Sequence, residues 1–536
     1  MKFIRLVGPL MLLFVTLFGG AGIAPISHAA IRDIMSNKQH TAAASPHLSS
    51  ATYLGGGETD YGRAVGLDAQ GNIYLAGDSF SSSILGYSLD PQGGTDIVVA
   101  KLSPDASTLL ELVSIGSTSG DHVGGMAVTP QGEVVLAINT DSASFPTYKA
   151  LHATMDEDNP GVLLKINAAM DDLVFSTFTD FTVPPELHTV AVDTSGAITV
   201  AGYVYNPSNR ARDLALERFS ADGQQQLFGK VWDNDDEDER AQGLVVTPDG
   251  TTYVAGYTEG RWGGLAVTDN ALQKLCGRRL ALGADHDCDN DAFVMRLNPE
   301  GEVDYATYLG GNGDDKAVDI AVDGQGAMYL TGWAGAQDFP TTANAFQPRC
   351  RAAKPEDGCY YDMFAAKIAP DGSKLIYSTY LASGDLSGLD YPKAIAVDAA
   401  GNATVVGYTA SERWPVKNAF QSALNAAPCP NAFQDRLCFD SVVTTFTPDG
   451  QLAFSSYLGG KFDEYSSDVM LSADGSIYLT GTTESTDFPA TAGSVQPGAR
   501  SGSDMFLARI TTADTSPTVP DPVPGSQRIY LPLMRR

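Results

Sequence analysis

The sequence is short of basic residues: 34 Lys and Arg stand against 64 Asp and Glu, a formal charge of −30 over 536 residues. Such an excess of acid repels phosphate backbones and anionic headgroups, so nucleic acid and acidic membrane surfaces are excluded as expected partners. Cations, basic proteins and neutral glycans remain open, beside the plainer reading that the acids keep the protein soluble. Histidine is scarce too. Apart from His28, the chain has His40, His47, His122, His152, His188 and His286, with no common spacing. It contains no Gly-x-Ser-x-Gly, no His-Glu-x-x-His and no glycine-rich phosphate loop. No motif therefore marks a catalytic centre, although a triad assembles in space and needs none. Long apolar runs are missing beyond the N-terminus, so no transmembrane helix is expected in the mature chain.

At the N-terminus itself, Lys2 and Arg5 precede an apolar run through Leu6, Leu10, Leu12, Phe14 and Phe18 and a small-residue exit at Ser27-His28-Ala29. This grammar predicts a signal peptide over 1–29; an uncleaved anchor is the competing reading. Loss of Lys2 and Arg5 brings the mature charge to −32, 64 acids against 32 bases. The expected setting is secreted or cell-surface, and oxidising.

What is abundant is repetition. The string from Ile395 to Gly407 recurs near Val65, Met126, Val190, Leu244, Ile320 and Val469. The turn glycines of these copies, Gly71, Gly132, Gly196, Gly250, Gly326, Gly401 and Gly475, stand 54 to 76 residues apart. In each copy two short apolar runs flank Asp-x-x-Gly, where Asp opens a type I turn and Gly takes the left-handed position that closes a hairpin. These runs are read as strands A and B. After an insertion of variable length come a third run, such as Asp362 to Ile368, the turn Pro370-Asp371-Gly372, and a fourth run, Leu375 to Leu381. These are read as strands C and D.

Four antiparallel strands per copy, repeated radially, predict an all-β, seven-bladed propeller whose closure hides the sheet edges. The seventh copy lacks a strand D, and the run Ser50 to Gly56 matches that strand with no A, B or C before it. The N-terminal strand is therefore expected to complete the last blade. The predicted layout is an N-terminal arm over 30–49, the propeller over 50–513, a Pro-rich linker over 514–527 and a tail over 528–536. The tail resembles the short terminal tails of exported proteins in some filamentous bacteria, which implies a sorting or attachment signal; a disordered end is the alternative.

These motifs resemble the SBBP-type β-propeller repeat of bacterial proteins. They stand here as Tyr308-Leu309-Gly310-Gly311, Ile320 to Gly332 and Asp338-Phe339-Pro340, the last echoed at Arg413-Trp414-Pro415, Asp487-Phe488-Pro489 and Ser144-Phe145-Pro146. The second copy departs from the pattern at Ala137, and the third lacks the Phe-Pro pair. The resemblance implies a fold and an extracellular setting, and it brings no catalytic residues. Proline extends the residue before it, so the aromatic of each pair is expected to plug the seam between blades. Stacking on carbohydrate is the functional alternative.

All six cysteines fall in B-to-C insertions: Cys276 and Cys288, Cys350 and Cys359, Cys429 and Cys438. Equivalent placement in three successive blades selects local pairing among the fifteen possibilities. Each bridge is worth roughly 2.5–3 kcal/mol in the loop-entropy model. Zinc is the weaker reading, since the spacings are too wide for a Cys-x-x-Cys site.

Asp285, Asp287, Asp289 and Asp291 alternate, which can turn several oxygens towards one calcium ion. The run departs from a calcium loop because Asp291 stands where glycine is expected and no glutamate closes it; a solvated acidic loop is the alternative. A second run, Asp233 to Glu239, is read mainly as solvated charge.

Propeller connectivity puts the B-to-C insertions and D-to-A connections on one face, and that face is the expected recognition surface. The sequence is read as a monomeric, non-enzymatic binding scaffold for an unidentified protein or glycan, with calcium as its one candidate cofactor. A glycan-active hydrolase or lyase with acids converging on the channel mouth is the alternative, and a structural surface-layer component a third reading.

Overall fold

The computed structural model describes residues 45–511, except 90–93, 155–159, 182–184, 208–209, 233–237, 259–266, 278–289, 351–358, 360–361, 384–388, 426–427 and 430–435. The predicted signal peptide, linker and tail lie outside the described residues.

Seven four-stranded antiparallel sheets are arranged as blades, each in the order A-B-C-D. Strand A runs Asp60–Leu67 in blade 1, Asp121–Val128 in blade 2, Pro185–Val192 in blade 3 and Glu239–Val246 in blade 4. In blades 5 to 7 it runs Asp315–Val322, Asp390–Val397 and Glu464–Leu471. Each strand A packs beside that of the next blade, and that of blade 7 meets that of blade 1, so these strands line the central channel.

The A-to-B turn shows why the repeat carries Asp and Gly. Asp398 Oδ1 accepts the N–H groups of Ala400 and Asn402, and Gly401 at φ +84° donates its N–H to the Asp398 carbonyl. A side chain at that φ would be strained. Strand A is then bulged near its middle, with register shifts such as that between Pro392 and Ala394.

Blade 7 is built from both ends of the chain. Strand D is His47–Leu54, paired antiparallel with strand C, Asp504–Thr511, from His47 against Thr511 to Leu54 against Met505. The orphan N-terminal strand thus supplies what the seventh copy lacks.

The core is divided among the seams, where facing sheets of adjacent blades share apolar clusters. The Phe-Pro aromatics sit in these seams: Phe339, Trp414 and Phe488 are buried, and Phe339 lies tilted against Phe364 at 4.6 Å within a cluster that also includes Tyr253 and Val294 of blade 4. The tyrosine of Tyr-Leu-Gly-Gly is buried as well, and its hydroxyl donates to the B-to-C segment, as Tyr457 does to the Ser411 carbonyl at 2.8 Å. The first glycine of that motif is needed for space. At Gly459 a Cβ would fall within 2.5 Å of carboxylate atoms of both Asp440 and Glu464.

Candidate functional site: the insertion face and channel mouth

Strand A begins and strand B ends on the face that carries the B-to-C insertions. Two predicted staples are present there, Cys350–Cys359 with Cα atoms 5.7 Å apart and Cys429–Cys438 with Cα atoms 4.6 Å apart. Cys276 is also in a disulfide, and its expected partner Cys288 lies outside the described residues. Asp463, with Cys429 and Cys438, forms the one metal-like grouping of three among the described residues. The two sulfurs are bonded to each other, and Asp463 is engaged elsewhere, since it receives the Arg436 guanidinium at 3.0 Å and the Phe439 N–H at 2.7 Å. This pins the blade 6 insertion onto blade 7.

Asp285, Asp287 and Asp289 lie outside the described residues. Asp291 opens strand C of blade 4 (Asp291–Leu297), is buried, and accepts the Gly277 N–H at 2.5 Å. It occupies the position of Asp96, Asp362, Asp440 and Asp504 in other blades. Of the second acidic run, Asp233 to Glu237 are not described, while Asp238 is neutralised by Arg240 at 2.6 Å and Arg212 at 3.3 Å. A shallow cavity of about 530 Å³ is lined by Gln273, Lys274, Leu275, Gly277, Gly311 and Asp338, where the blade 4 insertion meets the Gly-Gly corner.

At the channel mouth, the end of each strand B meets the start of strand A in the next blade. From blade 3 to blade 7 this contact is made by rings and cations. Arg240 lies 5.2 Å from the Tyr203 ring and 5.5 Å from the Tyr257 ring, and Lys316 stands 4.5 Å over Tyr257. Trp333 then meets Tyr391 edge to face at 6.2 Å, Tyr391 stacks on Tyr408 at 5.0 Å, and Tyr408 meets Tyr465 at 5.1 Å. Phe439, next to Cys438, touches Tyr391, Tyr408 and Tyr465, which joins the stapled insertion to this belt. Each cation–ring contact adds about 0.5–2 kcal/mol, more where water is excluded.

The remaining seams are polar. Asp78 is buried and holds Arg63 at 2.8 Å and His122 at 3.2 Å; the hydrogen bond to Asp78 raises the His122 pKa. Asn139 exchanges two hydrogen bonds with the Leu187 backbone of blade 3. Glu186 is bonded to Tyr203 and to His188, which hold its carboxyl down to about 2.

Two acids on strand A stitch blades together. Asp319 accepts the Ile395 N–H of blade 6 at 2.8 Å, and Asp468 accepts the Val65 N–H of blade 1 at 2.9 Å. Burial pushes them up to about 7 and about 6, and the charge of Asp468 adds to the rise at Asp319. A further set lies in the outer seams around the Gly-Gly corners. There burial pushes Asp315 and Asp440 up to about 7, Glu464 to about 8 and Asp504 to about 6.

The sequence reading found the insertion face and its cysteines but missed the belt. Its only signal was the variation at one register of strand A: Tyr61, His122, Glu186, Arg240, Lys316, Tyr391 and Tyr465.

A family model described as a β-propeller repeat, SBBP, matches residues 51–83. No curated protein matches the chain. Among solved structures, a protein of unknown function from Dyadobacter fermentans DSM 18053 is similar at 10% identity, covering 87% of this chain and 99% of that one, with a TM-score of 0.39. A gluconolactonase from Xanthomonas campestris has 11% identity over 74% of this chain and 90% of its own, with a TM-score of 0.31. A quinohemoprotein alcohol dehydrogenase from Pseudomonas putida HK5 has 10% identity over 90% of this chain and 78% of its own, with a TM-score of 0.37. The chain carries an SBBP-type β-propeller repeat within a ring of seven four-stranded blades.

Proposed function

We propose that this protein is an exported binding module that recognises a protein or glycan through the face carrying the B-to-C insertions, centred on the channel mouth. One observation carries the reading: the stapled insertion of blade 6 and the aromatic–cation belt meet on this face through Phe439. A stapled loop has less entropy left to lose when it meets a partner, and Tyr, Trp and Arg are the residues that anchor interfaces. Opposite-face turns such as Asp371-Gly372 and Asp449-Gly450 offer little shaped surface.

The test is replacement of 271–289, 349–359 and 429–438, one at a time, by short Gly-Ser linkers, followed by binding to a glycan array and melting of each variant. Binding should fall while melting stays cooperative, and changes at the opposite-face turns should spare affinity. A ligand whose affinity survives all three replacements would refute the assignment.

A further inference from the structure

We propose that the channel mouth binds an acidic saccharide, with the sugar rings lying on the Trp333–Tyr391–Tyr408 arc and the carboxylates of successive uronic acid residues taken by Lys393 and Lys316. The proposal rests on the binding reading above for its choice of face, and goes beyond it in naming the ligand.

In a chain with nearly two acids for each base, most cations at the mouth have an acid of their own. Arg63 and His122 share Asp78, Arg240 has Asp238, and Arg436 has Asp463. Lys316 and Lys393 differ: among the described residues neither ammonium has a carboxylate partner. Both stand over rings instead, Lys316 over Tyr257 at 4.5 Å and Lys393 over Tyr408 at 5.6 Å.

Lys393 sits on the bulge of strand A in blade 6, at the position Arg63 holds in blade 1. It is open to the channel yet surrounded by protein, and burial together with the nearby Arg63 charge lowers its pKa. A cation set beside another cation, with no carboxylate partner of its own among the described residues, is the arrangement that an incoming carboxylate would relieve.

The walls favour a sugar over a compact anion. Trp333, Tyr391 and Tyr408 are only half-buried, so part of each ring stays open to the C–H face and hydroxyls of a pyranose. Gln242 and Ser467, at the bulge positions of blades 4 and 7, are also half-buried and add neutral donors and acceptors.

The test is calorimetry of the mature protein with trigalacturonate, its fully methyl-esterified form, and benzoate as a flat carboxylate without hydroxyls. The expected order is trigalacturonate tightest, the ester at least about tenfold weaker, and benzoate weaker still. Lys393→Gln and Lys316→Gln should each weaken trigalacturonate about tenfold and leave the ester unchanged, whereas Tyr408→Ala should weaken both. Unchanged melting of the lysine variants checks that the ring is intact. Equal binding of acid and ester, tighter binding of benzoate, or no binding at about 10 mM would overturn the acidic-saccharide assignment. If another array ligand still depended on the insertions, the binding-face reading would survive that failure. If trigalacturonate bound independently of both lysines, the site itself would be wrong.

Discussion

Glu464→Gln should make the protein more resistant to alkaline pH. Glu464 is fully buried at the seam between blades 6 and 7, where it accepts the Gly460 N–H and the Thr483 hydroxyl, both at 2.7 Å. Asp440 lies across the Gly459 backbone from it. Burial, with the Asp440 charge adding to it, pushes the Glu464 pKa from an ordinary 4.5 to about 8. The folded protein therefore holds a proton that the unfolded chain releases. Stability from this group is fully present below the unfolded value, falls as pH rises through the window between the two values, and is flat above about 8. Between about pH 5 and pH 9 the loss amounts to about 4 kcal/mol. A glutamine keeps a carbonyl oxygen for Gly460 and a neutral group for Thr483, and it cannot ionise. Guanidinium unfolding followed by the fluorescence of the four tryptophans, with EDTA present, gives stability at several pH values for both proteins. The difference between variant and wild type should move in favour of the variant by about 4 kcal/mol across that range, because repulsion from the overall charge is nearly the same in both. Parallel profiles, differing by less than about 1 kcal/mol throughout, would show that the proton is not held at this seam.

Deleting the chain through Gly56 removes strand D of blade 7 and uncovers the edge of Asp504–Thr511; lower melting and aggregation are expected, and an equally soluble, equally stable truncation would contradict ring closure. Non-reducing peptide mapping should recover Cys350 with Cys359, Cys429 with Cys438, and Cys276 with Cys288, and any inter-blade linkage would count against local stapling. Thermal-shift titration should show stabilisation by calcium that Asp287→Asn with Asp289→Asn removes, since a ligand of the native state adds RT ln(1 + [L]/Kd); no shift at millimolar calcium would leave the acidic-loop reading.

The fold was legible because its punctuation is local. Asp398 and Gly401 make their turn within four residues, and the same chemistry at Asp68, Asp323 and their counterparts spells out blade after blade. The missing seventh strand D was legible because Tyr53-Leu54-Gly55-Gly56 repeats the form of Tyr457-Leu458-Gly459-Gly460. The belt was not, because its members share no residue type. Lys316 beside Tyr257 and Trp333 beside Tyr391 acquire meaning only when closure brings the second residue of one strand A against the sixth residue of the preceding strand B. The seam acids fall between these cases. Strand A opens with Asp or Glu in six blades, which sequence displays; that Asp60, Asp121, Asp315 and Glu464 sit against the glycine of the preceding strand D, where burial raises the pKa of each, follows only from packing.

Because His47 pairs with Thr511, the earliest of the described strands is the last to find its place. At about 5–20 residues per second, roughly half a minute to a minute and a half of synthesis separates the two partners. During that interval Ala51, Tyr53 and Leu54, all buried in the finished ring, have no sheet to join, while the inner strands of blades 1 to 6 can already stack on one another. Blade 7 is thus a latch with a kinetic role. Reopening it must peel away a strand held on both faces, so the rate of that single event sets how long an assembled ring persists.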